Sequence, residues 1–247
     1  MARLSGKTAW ITGAGTGIGE AAAAALAQSG AHVVLSGRTR ATLDAVAETI
    51  ATAGGSAEVA VLDVLDADAT QAIAADLLAR RGGVDIFMAN AGLNIAARRT
   101  DVLTVADFDK VVGINLNAVM YGVLAVLPHM RSGGSGTLIL NSSWAGRYPS
   151  GSTGAAYNAA KHAVVALGQS INAENGMRNI RCTVLMTGGV ATPIWQANPT
   201  PPTPERLANM LQSEDIGDLV RYIAEAPPNV CFNEIVVAPT RNRVIAV

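Results

Sequence analysis

Short apolar runs alternate with stretches of helical periodicity along almost the whole chain, and few architectures accept that rhythm. The apolar runs fall at residues 8–12, 32–36, 57–62, 85–89, 137–142, 181–186 and 231–237. Between them the spacing predicts helices over 18–29, 40–53, 67–81, 104–130, 155–175 and 213–225. Strand, helix, strand is the repeating unit of a parallel sheet, whose right-handed crossovers lay helices on both faces. The expectation is a single α/β domain over residues 1–247, doubly wound around a seven-stranded parallel sheet. A chain of 247 residues, half of them hydrophobic, has enough apolar material for one substantial core. One segment breaks the rhythm. At about residues 190–210, Pro193, Pro199, Pro201, Pro202 and Pro204 crowd together, so this stretch is expected to hold no regular structure and to serve the substrate.

Charge excludes some partners. The formal net charge is −1, and the only basic clusters are the pairs Arg80-Arg81 and Arg98-Arg99, which give no footprint for nucleic acid or an anionic membrane. Met1 to Lys7 lacks the apolar stretch of a secretory signal, so a cytoplasmic protein is expected. Residues 111–130 carry no charge and approach the length of a membrane span. Gly113, Asn115, Asn117, Gly122 and Pro128 within them favour a helix buried in the core or at a subunit interface, which points to a homo-oligomer, a tetramer or a dimer. Cys182 and Cys231 sit in apolar runs and suit reduced core packing, with neither a disulfide framework nor a zinc site indicated. His32, His129 and His162 are scattered, so no metal site is expected.

The first apolar run ends in Thr12-Gly13-Ala14-Gly15-Thr16-Gly17-Ile18-Gly19 and leads straight into a helix of small residues. Glycines permit a tight turn and close backbone approach, and the helix start offers N–H groups and partial positive charge to a pyrophosphate. A glycine loop alone is a weak signal. Placed between a strand and a helix at the head of an α/β alternation, it has the context of a dinucleotide fingerprint.

A second constellation is Tyr157 and Lys161, four apart on a predicted helix and hence on one face. A tyrosine with an ordinary pKa near ~10 is a poor acid or base at neutral pH, but an adjacent ammonium favours the phenolate. The pair therefore suggests a phenol tuned for general acid–base work. Ser143, at the end of the preceding strand, joins it, with Ser142 as the competing serine.

Together, Thr12 to Gly19, Asn90-Ala91-Gly92 after the fourth strand, and Ser143 followed by Tyr157-x3-Lys161 resemble the short-chain dehydrogenase/reductase family, with its single-domain Rossmann fold. The resemblance runs from Lys7 to about Val237. It implies that Ser143 stabilises charge on the substrate oxygen, Tyr157 passes the proton, and Lys161 lowers the tyrosine pKa and binds the nicotinamide ribose. It also implies that Asn115 holds a water linking Lys161 to solvent. Gly13, Thr16, Gly17, Ile18, Gly19, Asn90, Ala91 and Gly92 would cradle the dinucleotide, and Asp63-Val64 resembles the adenine-contacting pair. Thr187-Gly188-Gly189-Val190-Ala191-Thr192 resembles the stretch beneath the nicotinamide, where Gly188, Val190 and Thr192 would make contact. Thr187 replaces the usual proline. The chain end around residues 233–241 resembles the branch of NADP-dependent hydroxy-acid and aldehyde reductases.

The second strand ends in Ser36-Gly37-Arg38. An acidic residue there selects NAD, whereas an arginine accommodates the extra phosphate of NADP. Gly37 stands where the carboxylate would be and Arg38 follows, so NADP is favoured over NAD, although Thr16 occupies a place where many NADP-dependent relatives carry a basic residue. Asn94, Trp144, Tyr148, Gly189 and Trp195, with Leu93, are the expected substrate wall and suit a medium-sized aldehyde or ketone with an apolar or aromatic part. Arg147 reads as a solvated arginine. The reaction implied is reversible hydride transfer between nicotinamide and a carbonyl or secondary alcohol. The alternatives are an NAD-dependent alcohol or diol dehydrogenase and a dinucleotide-binding regulator without turnover.

Overall fold

Each apolar run becomes a strand, and the seven strands pair in the order β3-β2-β1-β4-β5-β6-β7, all parallel. The computed structural model describes residues 2–197 and 202–241. The strands are β1 (Thr8–Thr12), β2 (His32–Gly37), β3 (Ser56–Val61), β4 (Ile86–Ala89), β5 (Gly136–Asn141), β6 (Ile180–Thr187) and β7 (Glu234–Val237). The helices are α1 (Gly17–Gln28), α2 (Arg40–Thr52), α3 (Ala67–Arg81), α4 (Val105–Val112), α5 (Ala118–Gly133), α6 (Ala155–Asn175), α7 (Pro204–Ala208) and α8 (Ser213–Glu225).

Side chains alternate across the sheet, so each strand feeds two cores. Ile11 of β1 joins the cluster under α1, α2 and α8, while its neighbour Trp10 joins the one under α3, α5 and α6. The Trp10 indole N–H is satisfied by Ser36 Oγ at 2.9 Å. Between β1 and β4 the strand order reverses, and in open parallel sheets such a switch point leaves a crevice outside the carboxyl ends.

Three expectations need correction. The helix expected over 104–130 is interrupted by a π-helical turn at Gly113–Asn117. Asn115 explains it: its Nδ2 donates to the carbonyl of Val111 at 2.9 Å, competing with the backbone for that acceptor, and to Leu93 O at 2.8 Å. Cys231 is exposed and lies before β7, whereas Cys182 is buried in β6. The Asn172 side chain accepts from Cys182 N and donates to Cys182 O, both at 2.8 Å, which takes the edge groups that an earlier start of β7 would need. The proline-rich segment does hold regular structure, a 3₁₀ turn at Pro193–Ala197 and then α7. Pro204 sits in the first turn of α7, where a missing N–H costs nothing, and Thr203 Oγ1 caps Arg206 N at 3.2 Å. Pro199 and Pro201 lie outside the described residues.

The run Val105–Gly133 is long and apolar enough to cross a membrane by length and composition. Here Val119, Val123, Val126 and Met130 pack into the core over β4 and β5, while Val105, Phe108 and Leu124 remain exposed.

Candidate active site

A cleft of about 1320 Å³ opens at the carboxyl ends of the strands. It gathers almost every residue singled out from the sequence: Gly13, Thr16, Gly17 and Ile18; Gly37, Arg38, Asp63 and Val64; Asn90, Ala91 and Gly92; Ser143, Tyr157 and Lys161; Gly188, Val190 and Thr192; and Asn94, Trp144, Tyr148, Gly189 and Trp195. Gly19 and Asn115 lie behind the wall, both buried.

The glycine loop is sewn to the segment after β4. Asn90 Nδ2 donates to Thr12 O and Gly13 O, each at 3.1 Å, and Thr12 Oγ1 accepts from Asn90 N at 3.1 Å and Ala91 N at 3.2 Å. Gly13 has φ +65°, and a Cβ there would come within 2.9 Å of Ala91 Cα. Thr16 makes no side-chain cap on α1, so the first-turn N–H groups are left for an anion in the cleft. At the end of β2, Arg38 is exposed with no ion-pair partner among the described residues, whereas Arg40 is paired with Asp44 at 3.6 Å. Asp63 caps its own turn, accepting from Leu65 N at 3.1 Å, and still borders the cleft.

The reactive hydroxyls come from two elements. Ser143 follows β5 in extended backbone and caps a 3₁₀ turn, accepting from Ala145 N at 3.1 Å. Tyr157 rises from the first turn of α6 and borders the same cleft as Ser143, whose hydroxyl acts to lower the phenol's pKa. Ser142 also borders the cleft, but its hydroxyl is engaged in donating to Lys161 O at 2.8 Å. Lys161 follows one turn later on the same face of α6. Its ammonium is 5.6 Å from the Tyr157 ring centroid and donates to the carbonyl of Asn141 at 2.8 Å. Burial pushes the phenol up, opposed by the Ser143 hydrogen bond and by the charge of Arg98. Asn115 leaves its Oδ1 without a hydrogen-bond partner among the described residues, and a Cβ placed on Gly92 would meet that oxygen at 2.9 Å and Lys161 Nζ at 3.7 Å. Gly92 thus keeps open the space between the amide and the ammonium.

The remaining wall is aromatic and polar. Trp144 stacks on Tyr148 with ring centroids 4.5 Å apart, and Trp195 donates to Val190 O at 2.7 Å beneath the Arg206 guanidinium. Asn94 is used structurally, its Nδ2 donating to Thr153 O at 2.9 Å. Arg147 pairs with Glu234 at 3.7 Å and does not border the cleft.

Residues 7–202 match the short chain dehydrogenase family. The chain belongs to the short-chain dehydrogenase/reductase family. An oxidoreductase of Staphylococcus epidermidis is 32% identical over 241 residues, 97% of this chain and 100% of that one. A metagenomic short-chain oxidoreductase solved in complex with NADP has a TM-score of 0.84 at 32% identity, covering 96% of this chain and 99% of the other. An alcohol dehydrogenase from the archaeon Thermococcus sibiricus, complexed with 5-hydroxy-NADP, has a TM-score of 0.86 at 28% identity, with 96% and 98% covered. This short-chain dehydrogenase/reductase is accordingly an NAD(P)-dependent oxidoreductase. Its uncapped helix start and close-packed glycine loop fit a dinucleotide.

Sequence reasoning missed Arg98, Ser152, Thr153 and Met210 among the lining residues of this short-chain dehydrogenase/reductase. For Arg98 no local signal existed: Arg99 beside it is an exposed partner of Asp101 at 3.1 Å.

Lys161 is 3% exposed, and burial lowers its pKa from 10.5 to about 8. Between those values the unfolded chain holds the proton and the folded one has lost it, so this group makes stability rise with pH across that window. Below about 8 the ammonium is charged in both states and its burial cost is fully present. In denaturant titrations, wild type is expected to gain about 2–3 kcal/mol over Lys161→Met between pH ~8 and ~10. A difference independent of pH would contradict the depressed ammonium.

Proposed function

We propose that the protein is an NADP(H)-dependent oxidoreductase that interconverts an aldehyde or ketone and the corresponding alcohol, with Tyr157 as the proton donor and acceptor. The observation that carries this reading is the meeting of the Ser143 and Tyr157 hydroxyls with the buried Lys161 in a cleft that also contains the glycine loop. A bound nicotinamide dinucleotide supplies or accepts the hydride. The Gly13 to Gly19 loop and the start of α1 hold its pyrophosphate, Asp63 and Val64 border its adenine, and Gly188, Val190 and Thr192 receive the nicotinamide end. Ser143 and Tyr157 donate to the substrate oxygen, and these bonds strengthen as negative charge grows there. Lys161 brings a positive charge to the ribose, and Asn115 offers its unpaired Oδ1 to a water beside that ammonium. Trp144, Tyr148 and Trp195 suit a substrate with an apolar or aromatic part.

Arg38 carries the cofactor preference. Gly37 stands in place of a carboxylate at the end of β2, and the Arg38 guanidinium, without an ion-pair partner among the described residues, is a ready partner for a 2′-phosphate. The two solved relatives described above are complexes with NADP and with 5-hydroxy-NADP, which supports the same reading. Arg38→Ala is expected to weaken NADPH binding by about 10- to 100-fold, the worth of a charge-assisted hydrogen bond, and to change NADH binding little. Fluorescence titration of both cofactors measures this; unchanged NADPH affinity together with tighter NADH binding favours the NAD-dependent alcohol or diol dehydrogenase.

A further inference from the structure

We propose that Arg206 selects the substrate: its guanidinium receives a carboxylate carried by the aldehyde or ketone, so the preferred substrate class is a carbonyl acid. This deepens the oxidoreductase reading of the cleft and rests on it. The guanidinium is held over the Trp195 ring, 5.7 Å from its carbon to the ring centroid. The ring is itself fixed, because its Nε1 donates to Val190 O at 2.7 Å. The two ends of the segment that carries this pair are stitched together. Val190 bridges Leu211, with Ala191 N donating to Leu211 O at 2.8 Å and Leu211 N donating to Gly189 O at 3.0 Å. Arg206 lies in α7, whose first turn is capped by Thr203. Val190, Trp195, Thr203 and Arg206 all border the cleft. The guanidinium therefore has a defined place beside the stretch proposed to receive the nicotinamide end, where a substrate carbonyl must also come.

The contact with Trp195 leaves the guanidinium able to bind. A cation over an aromatic face is attracted by the ring quadrupole, and the N–H donors of an arginine remain available in a planar fork that matches the two oxygens of a carboxylate. Elsewhere in the described chain such forks are engaged: Arg80 and Arg81 pair with Glu58, Arg99 with Asp101 and Arg147 with Glu234. Within the cleft, Arg98 donates to Ile95 O and Ser152 O, and Arg241 donates to Asn209 Oδ1 at 3.4 Å. The guanidiniums of Arg38 and Arg206 have no hydrogen-bond or ion-pair partner among the described residues, and both border the cleft. These two serve different ligands. Arg38 follows β2, whereas the segment of Arg206 leaves from β6, four strand positions away in the sheet, about 19 Å at the ordinary strand spacing. Charge at the Arg206 end favours an anion, since Arg98, Lys161, Arg206 and Arg241 stand against Glu205 among the described lining residues. A carboxylate that enters there exchanges water for a fixed fork, and its neutral ester lacks that partner.

The test uses two aldehyde acids, para-formylbenzoate and succinic semialdehyde, each beside its methyl ester, so that the members of a pair differ in one charge. Their binding to the full chain saturated with oxidised dinucleotide is measured by calorimetry, which needs no turnover. Wild type is expected to bind at least one acid about 10- to 100-fold tighter than its ester, the worth of a charge-assisted hydrogen bond. Arg206→Gln is expected to abolish most of that ratio and Arg206→Lys to keep part of it. Arg178→Gln, at an exposed position away from the cleft, should leave the ratio in place. Arg206→Met is the second variant should Arg206→Gln not fold. Acids and esters that bind wild type alike in both pairs overturn the proposal, as does a preference that survives in a folded Arg206→Gln or Arg206→Met. An equal loss of dinucleotide affinity in these variants also overturns it, because that assigns the guanidinium to a cofactor phosphate. Turnover, followed at the reduced nicotinamide band, separates this claim from the one beneath it. If neutral carbonyls are reduced with the same kcat/KM as the acids, the present inference fails alone; if the acids bind with the expected preference and nothing is reduced or oxidised, the oxidoreductase reading fails and the carboxylate site stands.

Discussion

Tyr157→Phe is expected to lower turnover by about 10²- to 10⁴-fold with dinucleotide affinity held within about twofold, because the substitution removes one proton-transferring oxygen and keeps the ring. Tyr157 borders the cleft together with Ser143 and Lys161, and its hydroxyl is the oxygen that the substitution removes from that group. Ser143 would survive the change and still polarise the substrate oxygen, which is why some residual rate is expected. The measurement is consumption of reduced nicotinamide against a broad panel of aldehydes and ketones, alongside cofactor binding by fluorescence. Two results would overturn the reading. One is a Phe variant that turns over like wild type. The other is a wild-type protein that binds the dinucleotide but reduces and oxidises nothing in the panel, which is the behaviour of a dinucleotide-binding regulator.

Gly19→Ala is expected to be strongly damaging. Within a helix, Gly to Ala is ordinarily stabilising by about 0.5–1 kcal/mol, through lost freedom of the unfolded chain. Here the sign reverses. The new Cβ would lie 2.2 Å from Gly13 O and 2.6 Å from Asn90 Nδ2, and a backbone carbonyl cannot swing aside as a side-chain tip can. The first turn of α1 must lift away, which breaks the hydrogen bonds from Asn90 to Thr12 O and Gly13 O and opens the seam between the glycine loop and the segment after β4. Overpacking of this kind costs about 1–3 kcal/mol, and a pyrophosphate site displaced by the same movement is expected to lose on the order of tenfold in dinucleotide affinity. Thermal unfolding and cofactor titration read the two effects. Gly133→Ala is the control, since a Cβ at the end of α5 meets nothing within 4 Å; if both variants melt at the wild-type temperature, the packing account of Gly19 is wrong.

The two variants divide the site into its local and its long-range parts. Gly13 and Gly19, Asn90 to Gly92, and the Tyr157–Lys161 pair all belong to short segments whose spacing alone places them at a strand end or on a helix face. Those were legible from the chain. Where the Lys161 ammonium points was not, because the acceptor that captures it, Asn141 O, belongs to a strand 20 positions earlier. The same holds for the elevated phenol: burial is a property of what surrounds a side chain and not of its neighbours in sequence.

The periodicities of 2 and 3.6 residues determined the alternation of strands and helices, and with it the parallel sheet and the end of the sheet at which a site would open. The glycine spacing and the Tyr157–Lys161 interval determined which residues would stand there. Tertiary structure decided the rest: that Asn115 bends its helix into a π turn, that Pro204 begins a helix, and that Arg98 borders the cleft while Arg99 pairs with Asp101. Each of these depends on contacts between distant segments, such as the 54-residue separation of Arg98 and Ser152. Local sequence sets the torsional preferences of a segment, whereas the free energy of a buried charge or an orphaned carbonyl is set by whichever remote group the fold brings beside it.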